Sequence, residues 1–95
     1  METTEDGHFV VINGRRWRAT DPEIPEDVAA ELRKALMSAR RDVGKLLRAD
    51  EDPAPARARV QLAKVALGER GTPWWDQTLP QRRERWEQGL RDLQD

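Results

Sequence analysis

Two clusters in this chain hold residues whose types and spacing could do chemistry. In the first, Arg15-Arg16-Trp17-Arg18 follows Asn13-Gly14, and residues 8–19 contain no acid. Arginine can read guanine bidentately, and a two-stranded ribbon can enter a DNA major groove, so a nucleic-acid surface is one reading. The other is that these guanidiniums pair with the acidic loops at 21–27 and 50–52, or cover apolar surface with their stems. Against phosphate affinity stands the whole chain, with 17 basic and 18 acidic residues and a net charge of -1. Non-specific nucleic-acid binding depends on summed charge.

The second cluster is Gly68-Glu69-Arg70-Gly71-Thr72-Pro73-Trp74-Trp75-Asp76. Two indoles beside Glu69, Arg70 and Asp76 could frame a small-molecule or peptide pocket, since Trp offers rigid contact area and one donor. Gly-Glu-Arg-Gly lacks the spacing and the preceding strand of a phosphate loop. The plainer alternative is a helix C-cap followed by a Trp pair that closes a small core.

Catalytic and metal chemistry has little to work with. The chain has no Cys and no Tyr, one His (His8) and one Ser (Ser38). Without Cys there is no disulfide, thiolate metal site or cysteine nucleophile. Near His8 the only carboxylates in sequence are Glu5 and Asp6, so His8 is expected as a solvent-exposed residue rather than a ligand. No carboxylate pair stands out by spacing as a general acid and base. We therefore expect no enzyme, no metal and no cofactor.

The elements that must position these clusters follow from pattern. Ninety-five residues fit one small domain. Residues 1–7 are acidic and aperiodic and are expected to form a disordered tail, with the domain over 8–95. Nothing resembles a signal peptide or a membrane span, and a cytoplasmic location is expected. His8–Ile12 and Arg15–Ala19 read as two strands around an Asn-Gly type I′ turn. That turn fixes the register. Val10, Ile12, Trp17 and Ala19 share one face, expected to face the core. Phe9, Val11, Arg16 and Arg18 share the other, a candidate interaction surface.

Three helices should follow. Pro25 at N1 opens the first, which runs to Arg48 with Val28, Ala29, Leu32, Ala35, Leu36, Ala39, Val43, Leu46 and Leu47 on one stripe. Asp52-Pro53 caps a second helix, running to about Arg70 and apolar around more than half its circumference, so it should be covered on two sides. Thr78 and Gln81 form a capping-box pattern for a third, whose narrow stripe is Leu79, Trp86, Leu90 and Leu93. Gly89 in its middle should cost about 1 kcal/mol against Ala. The expected fold is α+β, ββααα, with the first helix lying across both the hairpin and the second helix.

Two stretches, Asn13–Pro22 and Ala63–Trp75, resemble an uncharacterised family of small bacterial proteins sometimes labelled "biopolymer transporter Tol". The resemblance covers most of the chain and implies no activity and no site residues. What the residues support is a non-enzymatic interaction module, engaging another protein or a second copy through the hairpin or the Trp loop. The alternative is a nucleic-acid-associated protein that uses the hairpin arginines.

Overall fold

The structure, a computed structural model, describes residues 2–94. An antiparallel sheet, in the order β1 (Glu2–Thr3), β2 (Phe9–Ile12), β3 (Arg15–Arg18), precedes three helices: α1 (Glu26–Arg48), α2 (Ala54–Ala66) and α3 (Leu79–Gln94). A single 3-10 turn, Trp74–Asp76, lies between α2 and α3. The fold is α+β, ββααα with one strand added in front.

The added strand corrects the expectation of a disordered tail. Glu2 pairs with Val11 and Thr3 with Val10. Gly7 N–H donates to the Thr4 carbonyl (2.9 Å), and Phe9 N–H donates to the Thr4 hydroxyl (3.1 Å). The Asp6 carboxylate takes the Thr4 hydroxyl and the His8 amide. Short polar side chains here satisfy backbone groups locally, which an apolar-periodicity reading does not register. Met1 lies outside the described residues.

The β2–β3 turn forms as expected, with φ of 53° at Asn13 and 76° at Gly14. Phe9 opposes Arg18, Val10 opposes Trp17, Val11 opposes Arg16 and Ile12 opposes Arg15.

The core is helical. Ala29, Leu32 and Leu36 of α1 meet Ala63 and Ala66 of α2 and Trp86 and Leu93 of α3, with Ile24 and Leu67 from the flanking loops. As expected, α2 is covered on two sides, by α1 and by α3. The stripe on α1 is buried only to Ala39; Val43 and Leu46 are half-buried and Leu47 is exposed. On α3, Leu79, its first residue, is also exposed.

Pro25 proves to be the N-cap of α1 rather than its first residue. In the same way Pro53 is the N-cap of α2, although Asp52 still accepts the Ala54 amide (3.0 Å). Helix α2 ends at Ala66, four residues before the expected Arg70. There Gly68 turns to φ +82° while its N–H donates to Val65 C=O and the Glu69 N–H to Lys64 C=O, a Schellman cap. Gly68 thus stops the helix. The Thr78/Gln81 capping box forms in both directions.

Gly89 has a packing role. A Cβ there would lie 2.3 Å from the Ala66 Cβ, so a pair of small residues sets the close approach of α3 to α2. The expected helix-propensity cost is real, but it is the condition for this crossing.

The first helix does not lie across the sheet. Its apolar stripe is taken up by α2 and α3. The sheet is held from its other side, by the Trp loop.

Candidate functional site

The loop after α2 and the outward face of the sheet, read as separate candidates from sequence, are one assembly. Pro73 enters the 3-10 turn extended, which sends Trp74 inward and leaves Trp75 half-buried against the sheet. The buried Trp74 indole N–H donates to Ala19 C=O (3.0 Å). His8 stacks flat on Trp75 (3.8 Å between centroids, 2° between planes), and Phe9 meets the same indole edge-on at 5.6 Å. His8 is thus half-buried in an aromatic stack, not a free surface imidazole. Arg16 lies over Phe9 (4.2 Å) and Arg18 over Trp75 (5.7 Å), and Arg18 Nη1 donates to Gly71 C=O (2.8 Å). Phe9 and Val11 are both half-buried.

The opposite face reverses the expectation of a core. Only Ala19 is buried on it; Ile12 is 42% and Trp17 41% exposed. They look into a cleft of about 350 Å³ that Val10 and Glu69 also line, with Arg40 of α1 and Lys64 of α2. The physical reason is side-chain length. Arg40 and Lys64 present long cationic stems where a close-packed layer would need aliphatic residues. Arg15 sits over the Trp17 ring at 4.6 Å and Lys64 at 5.7 Å. Burial pushes the Lys64 ammonium below its ordinary pKa; Glu69 opposes this, and Arg70 and Arg40 add to it.

Charge sharpens the picture. Among the described residues, Arg15, Arg16, Arg18, Arg40 and Lys64 form no salt bridge with any carboxylate. The pairing of the hairpin arginines with the acidic loops, weighed from sequence, does not occur. Arg15, Arg16, Arg18 and Lys64 instead lie on aromatic rings, Arg18 also bonds Gly71 C=O, and the nearby Glu69 and Asp6 act on Lys64 and Arg16 only from beyond ion-pair distance.

Elsewhere arginine is used differently. Asp21 has a fully buried carboxylate, gripped by two residues of α3. Arg82 donates through Nε (2.9 Å to Oδ2) and Nη2, and Arg85 through Nη2 (2.6 Å to Oδ2). The Glu23 amide donates to Oδ1 (2.9 Å). The backbone N–H of Asp21 donates to Leu67 C=O (2.9 Å). Arg85 also bonds Ala66 C=O (3.2 Å) and Gln77 (2.6 Å), which ties the linker, the α2 cap and α3 together. Burial alone would raise the Asp21 pKa. The hydrogen bonds from Arg82, Arg85 and Glu23 outweigh it, and the carboxyl lies below the ordinary range. Sequence reading missed this clasp; its signal was an arginine pair spaced i, i+3 on the α3 face.

The remaining candidates do not converge. Glu69 accepts the Thr20 hydroxyl (2.7 Å) on the sheet side. Arg70 turns to Gln61 (2.6 Å) on α2. Asp76 lines a different, wider hollow of about 810 Å³ along α2 and α3. Polar groups of that hollow are already engaged: Arg85 by Asp21, Gln81 by Thr78 and Gln88 by Asp92. Ser38 lines a hollow between α1 and α3, apart from His8 in the sheet stack. No group of three metal-binding side chains occurs among the described residues, and no helix is long and apolar enough to cross a membrane. No protein-family model, curated protein or solved structure matches the chain.

Proposed function

We propose that this chain is a non-enzymatic, cytoplasmic protein-interaction module, and that its basic sheet receives an acidic segment of a partner protein. The observation that carries the reading is the coincidence of exposed Ile12 and Trp17 with five cations that form no salt bridge, around one small sheet. Apolar surface supplies area, and unpaired cations select an acidic partner and steer it in. A second copy fits less well, because sheet against sheet sets arginine on arginine. Nucleic acid shares the attraction to the cations. However, Arg15 and Lys64 already occupy the Trp17 ring, where a base would stack.

Fluorescence anisotropy tests this with two probes, a labelled peptide rich in Glu, Asp and Val and a labelled DNA oligonucleotide. Between about 50 and 200 mM salt, DNA binding through many phosphates should collapse, while binding of a short peptide should weaken only modestly. Ile12→Ser with Trp17→Ser should lower peptide affinity about tenfold or more, roughly 1.4 kcal/mol, without changing the unfolding midpoint much. DNA binding at the lower salt that falls steeply toward the higher, with no peptide binding at either, overturns the reading in favour of nucleic acid.

A further inference from the structure

Backbone geometry says how such a segment would sit. Hydrogen-bonded and non-bonded pairs alternate along an antiparallel ladder, and the residues of a non-bonded pair aim their N–H and C=O away from each other. Ala19 N–H donates to His8 C=O (2.8 Å), which sets the phase. Counting back through the register, Trp17 and Arg15 bond to β2, while Arg16 and Arg18 turn their backbone groups to the open side of β3. Among the described residues, no backbone or side-chain partner meets those groups. On the other side of the sheet, β1 and the Thr4 amide take up the outward groups of β2. The edge of β3 is thus the long unpaired edge of the sheet.

We propose that an extended acidic–aliphatic–acidic segment of the partner adds to this edge as a fourth, antiparallel strand. The inference rests on the acidic-partner reading above. Opposite Arg16 and Arg18 the incoming residues would lie on the same face as those guanidiniums, within cross-strand distance, so acids belong there. The residue between them falls opposite Trp17, on the cleft face beside Ile12, so an aliphatic side chain belongs there. Main-chain bonds supply affinity and alternate side chains supply specificity.

The same geometry argues against self-assembly. Two β3 edges paired about Trp17 would set Arg16 directly opposite Arg18 of the other copy. Like charges there are unfavourable, which is how natural edges resist pairing with themselves. Nor does this chain contain a triplet in which Val, Leu or Ile stands between two acids. The edge is closed to its own kind and open to a segment of opposite charge.

The test uses the full chain and a capped peptide, Gly-Ser-Glu-Val-Glu-Ser-Gly, in three forms: unmodified, N-methylated at both Glu amides, and N-methylated at Val. Charge and composition of side chains are identical in all three. In the proposed register the Glu amides face β3 and the Val amide faces solvent. The unmodified and Val-methylated peptides should bind alike, and the Glu-methylated peptide about tenfold or more weaker, roughly 1.4 kcal/mol. Amide hydrogen exchange at Arg16 and Arg18 should slow on binding, while that at Trp17, already bonded to β2, changes little. Arg16→Glu with Arg18→Glu should lose this peptide and gain the matching Lys-Val-Lys peptide. Equal binding of all three forms, still dependent on Arg16 and Arg18, would overturn strand addition and leave the acidic-partner reading standing. Failure of every acidic peptide, or binding indifferent to Arg16 and Arg18, would remove both.

Discussion

Arg82 and Arg85 on α3 carry the same side chain as Arg15, Arg16 and Arg18 on β3, in opposite circumstances. The α3 pair is 12% and 8% exposed and shares one fully buried carboxylate. The β3 trio has aromatic rings beneath it and forms no salt bridge with a carboxylate. In the first region charge is consumed by the fold; in the second it is left available. A net charge of -1 conceals the difference, because the acids that balance the sheet arginines numerically form no salt bridge with them. For a chain with fourteen arginines, the informative quantity is which of them already have a partner.

The comparison breaks most readily at Asp21. Asp21→Asn keeps the side-chain shape and leaves two largely buried guanidiniums without a counter-charge. Removing one partner of a buried ion pair costs about 3–5 kcal/mol, a large part of the roughly 5–15 kcal/mol a small domain holds. Urea unfolding at neutral pH measures it. The sign of the pH dependence follows from the lowered folded pKa of Asp21. Its stabilisation is present above the unfolded value of about 3.9 and is lost as pH falls through the folded one. The gap between parent and variant should therefore narrow as the urea midpoints are followed down from pH of about 4. A gap that stays constant to low pH would mean that the clasp acts by shape, not by charge.

Gly89→Ala is the next largest effect and has a counter-intuitive sign. Helix propensity alone predicts a gain of about 1 kcal/mol. The Ala66 Cβ, 2.3 Å from the new methyl, predicts a loss of about 1–3 kcal/mol from overpacking between α2 and α3. Thermal unfolding decides between them. A stabilised variant would show that α3 can slide on α2, and with it the pair Arg82 and Arg85, so the clasp would be softer than its geometry implies.

Which parts of this were legible in the sequence has a physical pattern. Local rules worked where the signal is local. Asn13-Gly14 fixed the register of β2 and β3, Thr78 and Gln81 fixed the start of α3, and the 3.6-residue period of α1 identified Leu32 and Leu36. What failed was the choice between two faces of the sheet, because alternation separates faces without saying which one a third element covers. Trp17 and Ile12 looked like core by their size. Arg40 and Lys64, distant in sequence, keep them open. Of the candidate site residues, Phe9, Arg16, Arg18, Trp74 and Trp75 do come together. Glu69, Arg70 and Asp76 separate, because the Schellman turn at Gly68 and the 3-10 turn at Trp74 aim successive residues in different directions. Asp21 was hidden for a related reason: nothing in a short loop announces that its acid will meet α3.

The smallest expected change is the one that most sharpens the contrast. Arg15→Gln with Arg16→Gln removes two exposed cations that rest on Trp17 and Phe9. Exposed cation–π contacts contribute about 0.5–1 kcal/mol each, and the glutamine stems keep part of the apolar cover, so the loss of stability should be under about 1 kcal/mol. No buried charge is orphaned, since neither arginine bonds a carboxylate. Relief of repulsion along the Arg15–Arg18 run works in the other direction and brings the net change nearer zero. The urea midpoint at low and at moderate salt measures both parts: screening should stabilise the parent more than the variant if repulsion along the strand is real. Binding of the acidic peptide should meanwhile fall several-fold, so fold and function would separate on the sheet as they cannot at Asp21. A loss comparable to that of Asp21→Asn would show that the sheet arginines belong to the fold after all, and the surface would no longer be free to serve a partner.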